Sequence, residues 1–384
     1  MLHVIINIKE RYLMEIDCHT EEEKSERLRN ATIYDIAARA GVSPSTVSRV
    51  LGRSAHPVSP DVRDNVLKAA QELNYVPNAQ ARFLKTQNNL SLGIIIPSID
   101  NPFYPQMIRG MSDVAVSRNY SVYLSNCDRE YSVTDQQIQR MLEMNVRGII
   151  SVYIEKTTPS LKNFVERGGI LVSLCGKNYS YDGAYNLRTD KVEESEIALE
   201  HLIGLGHRKI ALLMNEINCQ IRKDKLAGYK RALKNNGIEF RPEYLFIGGE
   251  ASLPTGEARG ISDADRGKEY VRELLKKCPE VTAILCMNDM MALGVCAELR
   301  NNHLSVPGDY SVMGFDDSFF SAFSNPALTT VALDKYEWGR ILMSFLIEKI
   351  ENGESSSGKT QLLDNRLPPV HLVARESTGA PRNI

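Results

Sequence analysis

Two polar residues directly follow apolar strand patterns in the carboxyl-terminal half of the chain. Asn288 follows the run AILCM, and Asp316 follows YSVMGF. In a sheet of parallel strands, ligands bind at the carboxyl ends of the strands. Because amide and carboxylate groups bind sugar hydroxyls in fork geometry, this placement predicts a polar ligand site. The plainer alternative is that Asp316 and its neighbour Asp317 cap the next turn.

Two aromatic residues follow the first strand pattern, SLGIIIP. Phe103 and Tyr104 offer flat faces on which a sugar ring can lie. A mono- or oligosaccharide, or a sugar phosphate, is therefore the first predicted ligand. Aromatic stacking serves a purine equally well, so a purine is the second.

A different set of polar side chains lies in residues 31–51, ATIYDIAARAGVSPSTVSRVL. This stretch has the pattern of two short helices joined by a tight turn. The second helix leaves Ser45, Thr46, Ser48 and Arg49 for its outer surface. A helix-turn-helix motif places such a helix in the major groove of DNA, where polar side chains read base edges. An ordinary helical hairpin on a protein surface is the alternative.

Local signals position these two helices. Thr32 and Asp35 have the spacing of a capping box at the start of the first helix. Gly41 suits the left-handed conformation that ends it. Ser43 can cap the second helix, and Pro44 is favoured at its first position.

A third helix is predicted to begin at Ser59 and Pro60. Its inner stripe consists of Val62, Val66, Ala69, Ala70 and Leu73. The segment PNAQARFLK, residues 77–85, follows as a short helix with few core positions. Because such a helix is unstable alone, it is suited to act as a switch.

Composition is compatible with this interpretation. A chain of 384 residues with 43% hydrophobic residues allows two or three domains with a sizeable core. The formal net charge is only -2, but residues 31–88 carry seven Lys or Arg residues against four acidic residues. This modest basic footprint is consistent with a small dimeric DNA-binding module.

The cysteines indicate a reducing compartment. The seven cysteines are scattered, with no CxxC pair and no Cys/His cluster of metal spacing. We therefore expect no metal, no cofactor and a cytoplasmic location. No apolar run is long enough to span a membrane, and the run from Val4 to Ile8 is too short for a secretory signal. Residues 1–30 are predicted to be a charged, disordered extension.

From residue 91 onwards, strand and helix patterns alternate in two successive runs. Alternation of this kind predicts parallel sheets with right-handed crossovers. The predicted fold class is therefore a small all-α helix-turn-helix domain followed by an α/β domain of two doubly wound parallel-sheet lobes, with the ligand in the cleft between the lobes.

These motifs together resemble the lactose-repressor (LacI/GalR) family of bacterial transcription regulators. The resemblance covers roughly residues 31–378 and is most specific in IYDIAARAGVSPSTVSRVL and VSPDVRDNVLKAAQELNYVPNAQARFLK. It continues, in order, through LGIIIPSIDNPFYPQMIRG, HLIGLGHRKIALL, KLAGYKRAL, TAILCMNDMMALG, VPGDYSVMGFDD, NPALTTV and HLVARES.

The resemblance implies a domain plan related to type 1 periplasmic binding proteins. The helix-turn-helix domain would span residues 31–77, the hinge helix and linker 78–89, and the effector and dimerisation domain 90–384. Lobe 1 would comprise about 90–189 and 333–365, and lobe 2 about 190–332 and 366–378, with crossings near residues 189, 332 and 366. After HLVARES there are no leucine heptads, so a homodimer is expected rather than a coiled-coil tetramer.

The resemblance also implies two sets of functional residues. Contacts to a pseudopalindromic double-stranded operator fall on Thr32, Tyr34, Ser43, Pro44, Ser45, Thr46, Arg49, Tyr75, Asn78, Ala81 and Leu84. Leu84 matches the apolar wedge that enters the minor groove at the operator centre. Effector contacts fall on Phe103, Tyr104, Cys175, Arg222, Lys225, Asn288 and Asp316.

Several positions depart from the family pattern around the effector site. Cys175 stands where several members have Asp, and Lys225 stands where Arg is usual, so bidentate recognition is lost there. Arg222 is near enough in sequence to compensate. Lys191 replaces the usual Asn, and the loop at 250–266 is longer than is typical.

The sequence thus predicts a transcription regulator, most simply a repressor, whose operator affinity is controlled by a small molecule, with carbohydrate as the first choice. An enzyme is the main alternative class, but the chain has no nucleophile elbow, no P-loop and no GxGxxG after the first strand. A transport binding protein is another alternative; it would need a signal peptide and would lack the DNA-binding module.

Overall fold

The computed structural model describes residues 31–52, 58–75, 90–128, 130–153, 156–248, 262–355, 360–364 and 366–382. The chain divides into two compact units, one ending at Asn88 and one beginning at Asn89. The predicted extension 1–30, the whole of the hinge segment 78–89 and most of the loop 250–266 lie outside the described residues.

The described residues of the first unit form three short helices around a small core. They are α1 (Ile33–Ala40), α2 (Pro44–Leu51) and α3 (Pro60–Glu72). Both halves of the capping box are present at Thr32 and Asp35, and Gly41 has a φ of 65°, in the left-handed region. The core contains Ile36, Ala37, Ala40, Val47, Val50, Val66 and Ala69. The helical periodicity and the capping signals predicted this unit correctly.

The second unit contains two six-stranded sheets. The sheet of lobe 1 has the order β11-β5-β4-β3-β1-β2, and all of its paired strands are parallel. Its strands are β1 (Ser91–Ile96), β2 (Ser121–Asn126), β3 (Gly148–Val152), β4 (Ile170–Gly176), β5 (Tyr185–Thr189) and β11 (Gln361–Leu363). Its helices are α4 (Phe103–Ser117), α5 (Tyr131–Glu143), α6 (Pro159–Glu166) and α11 (Lys335–Glu351).

Lobe 2 has the sheet order β12-β10-β9-β8-β6-β7, in which only β12 runs antiparallel to its neighbour. Its strands are β6 (Ile210–Asn215), β7 (Leu245–Gly248), β8 (Ala283–Cys286), β9 (Ser311–Phe315), β10 (Thr329–Ala332) and β12 (His371–Val373). Its helices are α7 (Lys191–Gly204), α8 (Gln220–Asn235), α9 (Asp263–Lys277) and α10 (Asp289–Asn301), with 3-10 turns at Pro242–Tyr244 and Phe319–Ala322. The predicted fold class is confirmed.

The chain passes between the two sheets at three places. It leaves lobe 1 after Thr189, returns after Ala332, and crosses once more between Leu363 and His371. Each lobe is therefore built from separate stretches of sequence, and the carboxyl ends of β4 and β9 are brought to a common cleft.

Close helix packing stabilises lobe 1. Helices α4 and α11 cross at Gly110 and Gly339, where a Cβ atom would lie 2.1 Å from the Tyr336 carbonyl oxygen and 2.0 Å from the Met107 carbonyl oxygen. Glycine is thus required at both positions. The crossing lets α11 bury Trp338 in the core of the lobe.

Candidate functional site

The start of helix α2 is organised by Ser43. The Ser43 Oγ accepts a hydrogen bond from the Thr46 amide at 3.2 Å and lies 2.7 Å from the Ser45 hydroxyl and 2.9 Å from the Thr46 hydroxyl. Pro44 occupies the first position of the helix, as predicted. Ser43 therefore caps the helix and orients two neighbouring hydroxyls, leaving Ser45 exposed and Thr46 half-buried.

Arg49 is the exposed cation of this helix. Within the described part of the chain it forms no ion pair, whereas Arg39 pairs with Glu72 at 2.6 Å between α1 and α3. An exposed guanidinium on the outer face of a second helix is suited to bind guanine edges or phosphates.

The other predicted DNA contacts occupy different environments. Tyr34 is 69% exposed. Thr32 donates through both its amide and its hydroxyl to the Asp35 carboxylate, each at 2.7 Å, so its side chain serves the helix cap. Tyr75 is half-buried and packs against the small core. Asn78, Ala81 and Leu84 lie outside the described residues.

Lys225 is the central cation of the cleft in the second unit. It lies in the second turn of α8, and only 9% of it is exposed. Its Nζ lies 3.3 Å from the centre of the Phe315 ring, at the end of β9, and 3.8 Å from the Glu194 carboxylate. Burial lowers the pKa of Lys225 to about 8, against the opposing effect of Glu194.

Lys191 forms a tighter pair with the same carboxylate. Its Nζ lies 2.5 Å from Glu194 Oε1, and both side chains are buried. The ammonium also lies 5.1 Å from the centre of the Tyr153 ring and 6.0 Å from that of Trp338, both in lobe 1. Although burial opposes its charge, Glu194 and Tyr153 raise the pKa of Lys191. This cluster joins the two lobes.

Asp316 lies at the same end of the cleft. Its φ is 99°, which is unusual for a residue with a side chain, and its main-chain carbonyl accepts a hydrogen bond from Lys335. Burial raises the pKa of Asp316, while Lys225, Lys191 and Lys335 act in the opposite direction. Among the described residues, no hydrogen-bond donor to its carboxylate is present.

The alternative interpretation, in which Asp316 and Asp317 cap the turn after β9, does not agree with the hydrogen bonds of that turn. The Ser318 amide donates instead to Asp289 Oδ2 at 2.7 Å. Asp317 forms an ion pair with Arg375 at 2.6 Å. The two neighbouring carboxylates thus differ. Asp317 forms an ion pair within the protein, whereas Asp316 faces the lysine side chains of the cleft.

The Asn288 side chain, which was predicted to contact the ligand, forms hydrogen bonds within the protein. Its Oδ1 accepts from the Met291 amide at 2.9 Å and so caps α10, and its Nδ2 donates to Asp263 Oδ2 at 2.6 Å. Both ends of the amide bind the protein, and only 4% of the residue is exposed.

The predicted aromatic faces are also buried. Phe103 and Tyr104 belong to the core of lobe 1, with ring centres 5.0 Å apart in an edge-on arrangement. The Phe103 ring centre lies 6.0 Å from that of Tyr153, so it supports the ring that faces Lys191.

Cys175 and Arg222 are likewise engaged by the protein. The Cys175 thiol is buried and lies 3.2 Å from the Tyr179 carbonyl oxygen. Arg222 is buried and donates to the Glu216 carbonyl at 2.5 Å and to Asn218 Oδ1 at 2.9 Å. Arg222 therefore stabilises the loop after β6. This geometry does not support the suggestion that Arg222 compensates for the missing arginine at position 225.

Sequence reasoning did not single out a second link between the lobes. Asp224 Oδ1 accepts from Asn178 Nδ2 of lobe 1 at 2.8 Å and from Gln220 Nε2 at 2.9 Å. Among the described residues, the buried Asp224 Oδ2 has no hydrogen-bond partner. Neither this link nor the Glu194–Lys225 pair had a sequence signal, because the partners in each are far apart in the chain. The departure from the family pattern at Lys191 was the one clue.

The two sites define a class of protein: a DNA-binding module joined to a two-lobed ligand-binding domain, as in ligand-controlled transcription regulators. Comparisons with known proteins agree. Residues 32–78 match the bacterial regulatory proteins of the lacI family, and residues 199–378 match the periplasmic binding protein-like domain. The chain belongs to the LacI family of transcription regulators, which are not enzymes.

Relatives match along almost the whole chain. Catabolite control protein A of Priestia megaterium is 32% identical over 350 residues, covering 91% of this chain and 99% of that protein. The lac repressor dimer bound to operator and the anti-inducer ONPF superposes with a TM-score of 0.73 at 28% identity, over 92% of this chain and all of that one. The complex of the regulator CelR with cellobiose gives a TM-score of 0.63 at 25% identity, over 91% and 100%.

No helix among the described residues combines the length and the apolar character that crossing a membrane requires.

Proposed function

We propose that this regulator is a repressor whose operator affinity is set by a sugar or sugar derivative bound between the two lobes. The observation that carries the proposal is the charged cluster of Lys191, Glu194 and Lys225, which faces Tyr153 and Trp338 across the cleft. A ligand that binds one lobe arrangement better than another shifts the population towards it.

The mechanism follows from this coupling. In a homodimer, a change in the angle between lobes alters the separation of the two hinge segments, and with it the affinity for paired half-sites. Ser45 and Arg49 carry direct base readout, because Pro44 has no side-chain hydrogen-bond donor. Leu84 acts as the minor-groove wedge, which favours a palindromic operator with a flexible central CG step. A protein with this role works in the cytoplasm, where the bacterial chromosome lies.

Sugar recognition is supported by chemistry at one end of the cleft. The Asp316 carboxylate, beside Lys225, suits hydroxyl donors, and the CelR complex is a relative that holds cellobiose. The burial of Phe103 and Tyr104 removes the predicted stacking faces for a sugar ring and for a purine alike, so the proposal of a sugar depends on the polar groups of the cleft.

The test has two stages. Selection of bound duplexes from random DNA should yield a pseudopalindrome, which is then used in fluorescence anisotropy titrations with the purified full chain. A panel of sugars, sugar phosphates and purines is added at fixed salt, because the affinity of DNA binding depends strongly on ionic strength. Recovery of no consensus sequence would refute the operator proposal, and an affinity altered only by purines would refute the sugar proposal.

A further inference from the structure

We propose that the effector carries an oxyanion, a carboxylate or a phosphate, and that Lys225 binds it. This inference rests on the proposed function, because it assigns the chemistry of the ligand that the cleft accepts. It begins from a buried side chain: within the part of the chain that the structure describes, the Lys225 ammonium has no hydrogen-bond partner, although the residue is only 9% exposed.

A buried ammonium normally has an anion or several acceptors around it, because leaving a charge unpaired in the interior is costly. Glu194 is a poor substitute. Its carboxylate binds Lys191 at 2.5 Å and lies 3.8 Å from Lys225, so a single negative charge is shared by two ammonium groups. The Phe315 ring, at 3.3 Å, offers only its π face.

Three other charged groups near Lys225 already have hydrogen-bond partners within the protein. The Lys335 ammonium donates to the main-chain carbonyls of Asp316 and Asp317. The Asp289 carboxylate accepts from the Ser318 amide, the Ser321 hydroxyl and the Thr330 hydroxyl at 2.6–2.7 Å. The Arg222 guanidinium is turned to the loop after β6.

Two complementary groups are therefore left for a ligand in the described part of the cleft: an ammonium that lacks an acceptor and the Asp316 carboxylate that lacks a donor. A neutral sugar would satisfy Asp316 with hydroxyls but would offer Lys225 only uncharged acceptors. The Asp316 and Asp289 carboxylates favour the Lys225 charge without accepting a hydrogen bond from it among the described residues. A hydroxylated molecule that also carries an oxyanion satisfies both Asp316 and Lys225. Lysine binds such an anion as a point charge, without the planar fork of arginine.

The experiment measures stabilisation by the smallest members of each anion class. The melting temperature of the full chain is recorded in inorganic phosphate, in acetate and in chloride at equal ionic strength and pH. The wild type is compared with Lys225→Met and Lys225→Arg. Lys223→Met is the matched control, because Lys223 is an exposed lysine on the same helix. Since phosphate stabilises proteins generally, the decisive quantity is each variant's shift relative to its own chloride value.

We expect phosphate or acetate to raise the melting temperature of the wild type, Lys225→Arg and Lys223→Met alike. Lys225→Met should retain only the small general salt effect. A shift with phosphate alone would identify a phosphate monoester, and a shift with acetate alone a carboxylate. Equal shifts in the wild type and in Lys225→Met, or no anion-specific shift in the wild type, would overturn the inference. Because no DNA enters this experiment, its failure is distinguishable from a failure of operator binding.

Discussion

Lys225 and Phe315 form the tightest cation–ring contact of the cleft, with the ammonium 3.3 Å from the ring centre. The contact joins helix α8 to the end of strand β9, immediately before Asp316. A ligand that moves the Lys225 side chain therefore acts directly on the segment that carries Asp316. The same burial that creates the contact makes the ammonium unfavourable in the absence of a ligand.

We predict that Lys225→Met stabilises the ligand-free protein near neutral pH. The pKa of Lys225 falls from 10.5 to about 8 on folding, which corresponds to a penalty on the order of 3 kcal/mol for the charged form. Because the unfolded chain binds the proton more tightly, the wild-type free energy of unfolding should rise between about pH 8 and pH 10.5. The variant should lack this rise.

Urea denaturation at both ends of this pH range measures the effect. Glu194 keeps Lys191 as its partner in the variant, and Lys191 and Lys335 still act on the Asp316 carboxylate. A Lys225→Met protein that is less stable than the wild type near pH 7 would contradict the prediction.

A second prediction concerns His207, which fastens the carboxyl-terminal segment to lobe 2. Its Nε2 lies 2.9 Å from the Gly379 carbonyl oxygen and its Nδ1 lies 2.8 Å from the Thr282 hydroxyl. Because a carbonyl can only accept, Nε2 carries the proton, and Nδ1 accepts from Thr282 in the neutral ring. Burial lowers the pKa of His207 below its usual 6.5.

A lowered histidine pKa stabilises the fold at higher pH, and this contribution is lost as the pH falls from about 6.5 through the folded-state value. The free energy of unfolding should therefore decrease with acidification in this window, and His207→Gln should flatten the dependence. His303→Gln, at an exposed position, is the control and should keep the wild-type slope. An unchanged slope in His207→Gln would assign the pH dependence to other groups.

The features that the sequence predicted correctly depend mostly on interactions between residues close together in the chain. The roles of Thr32, Gly41 and Ser43 depend on neighbours three or four residues away, and the structure places each as its spacing indicated. The strands at Tyr185–Thr189 and Leu245–Gly248 cannot be identified from the sequence, because they are short and their apolar patterns do not stand out from the flanking loops. Helix α8 begins at Gln220, and its first turns carry the buried polar residues Arg222, Asp224 and Lys225, so no apolar stripe marks its start.

The cleft was harder to predict for a physical reason. The contacts of Lys191 with Tyr153 and Trp338 form because the chain crosses between the lobes. No local sequence pattern indicates contacts between residues so far apart in the chain. Position at a strand end identified Asp316 and Asn288 as candidates. It did not reveal that Asn288 would be held at both ends by the protein.

The third prediction concerns base readout by Arg49. Because its guanidinium is exposed and unpaired among the described residues, Arg49→Ala should leave the fold intact. It should weaken operator binding by roughly 1–3 kcal/mol and relax the preference at one base position. Lys68→Ala removes the same charge from an exposed position on α3 and serves as the control. Equal weakening of Arg49→Ala on operator and random duplexes would make Arg49 a phosphate contact.

The fourth prediction concerns assembly. Paired half-sites require a two-fold dimer, and the lac repressor, a relative of known structure, is a dimer on its operator. Light scattering of the full chain should give about twice the chain mass of 43.0 kDa. A stable monomer at the concentrations that saturate the operator would exclude simultaneous reading of both half-sites by one particle.

The last prediction separates the two neighbouring carboxylates at the end of β9. Asp317 is tied to Arg375 at 2.6 Å, while Asp316 faces the cleft cations. Asp316→Ala should therefore remove the response to the effector, and Asp317→Ala should lower the melting temperature while the response persists. If the effector is an inducer, Asp316→Ala will bind the operator normally and fail to release it; if it is a corepressor, the variant will not bind the operator even with effector present. Calorimetric titration of the effector identified by the ligand panel decides the matter, because unchanged affinity in Asp316→Ala would remove this carboxylate from the binding site.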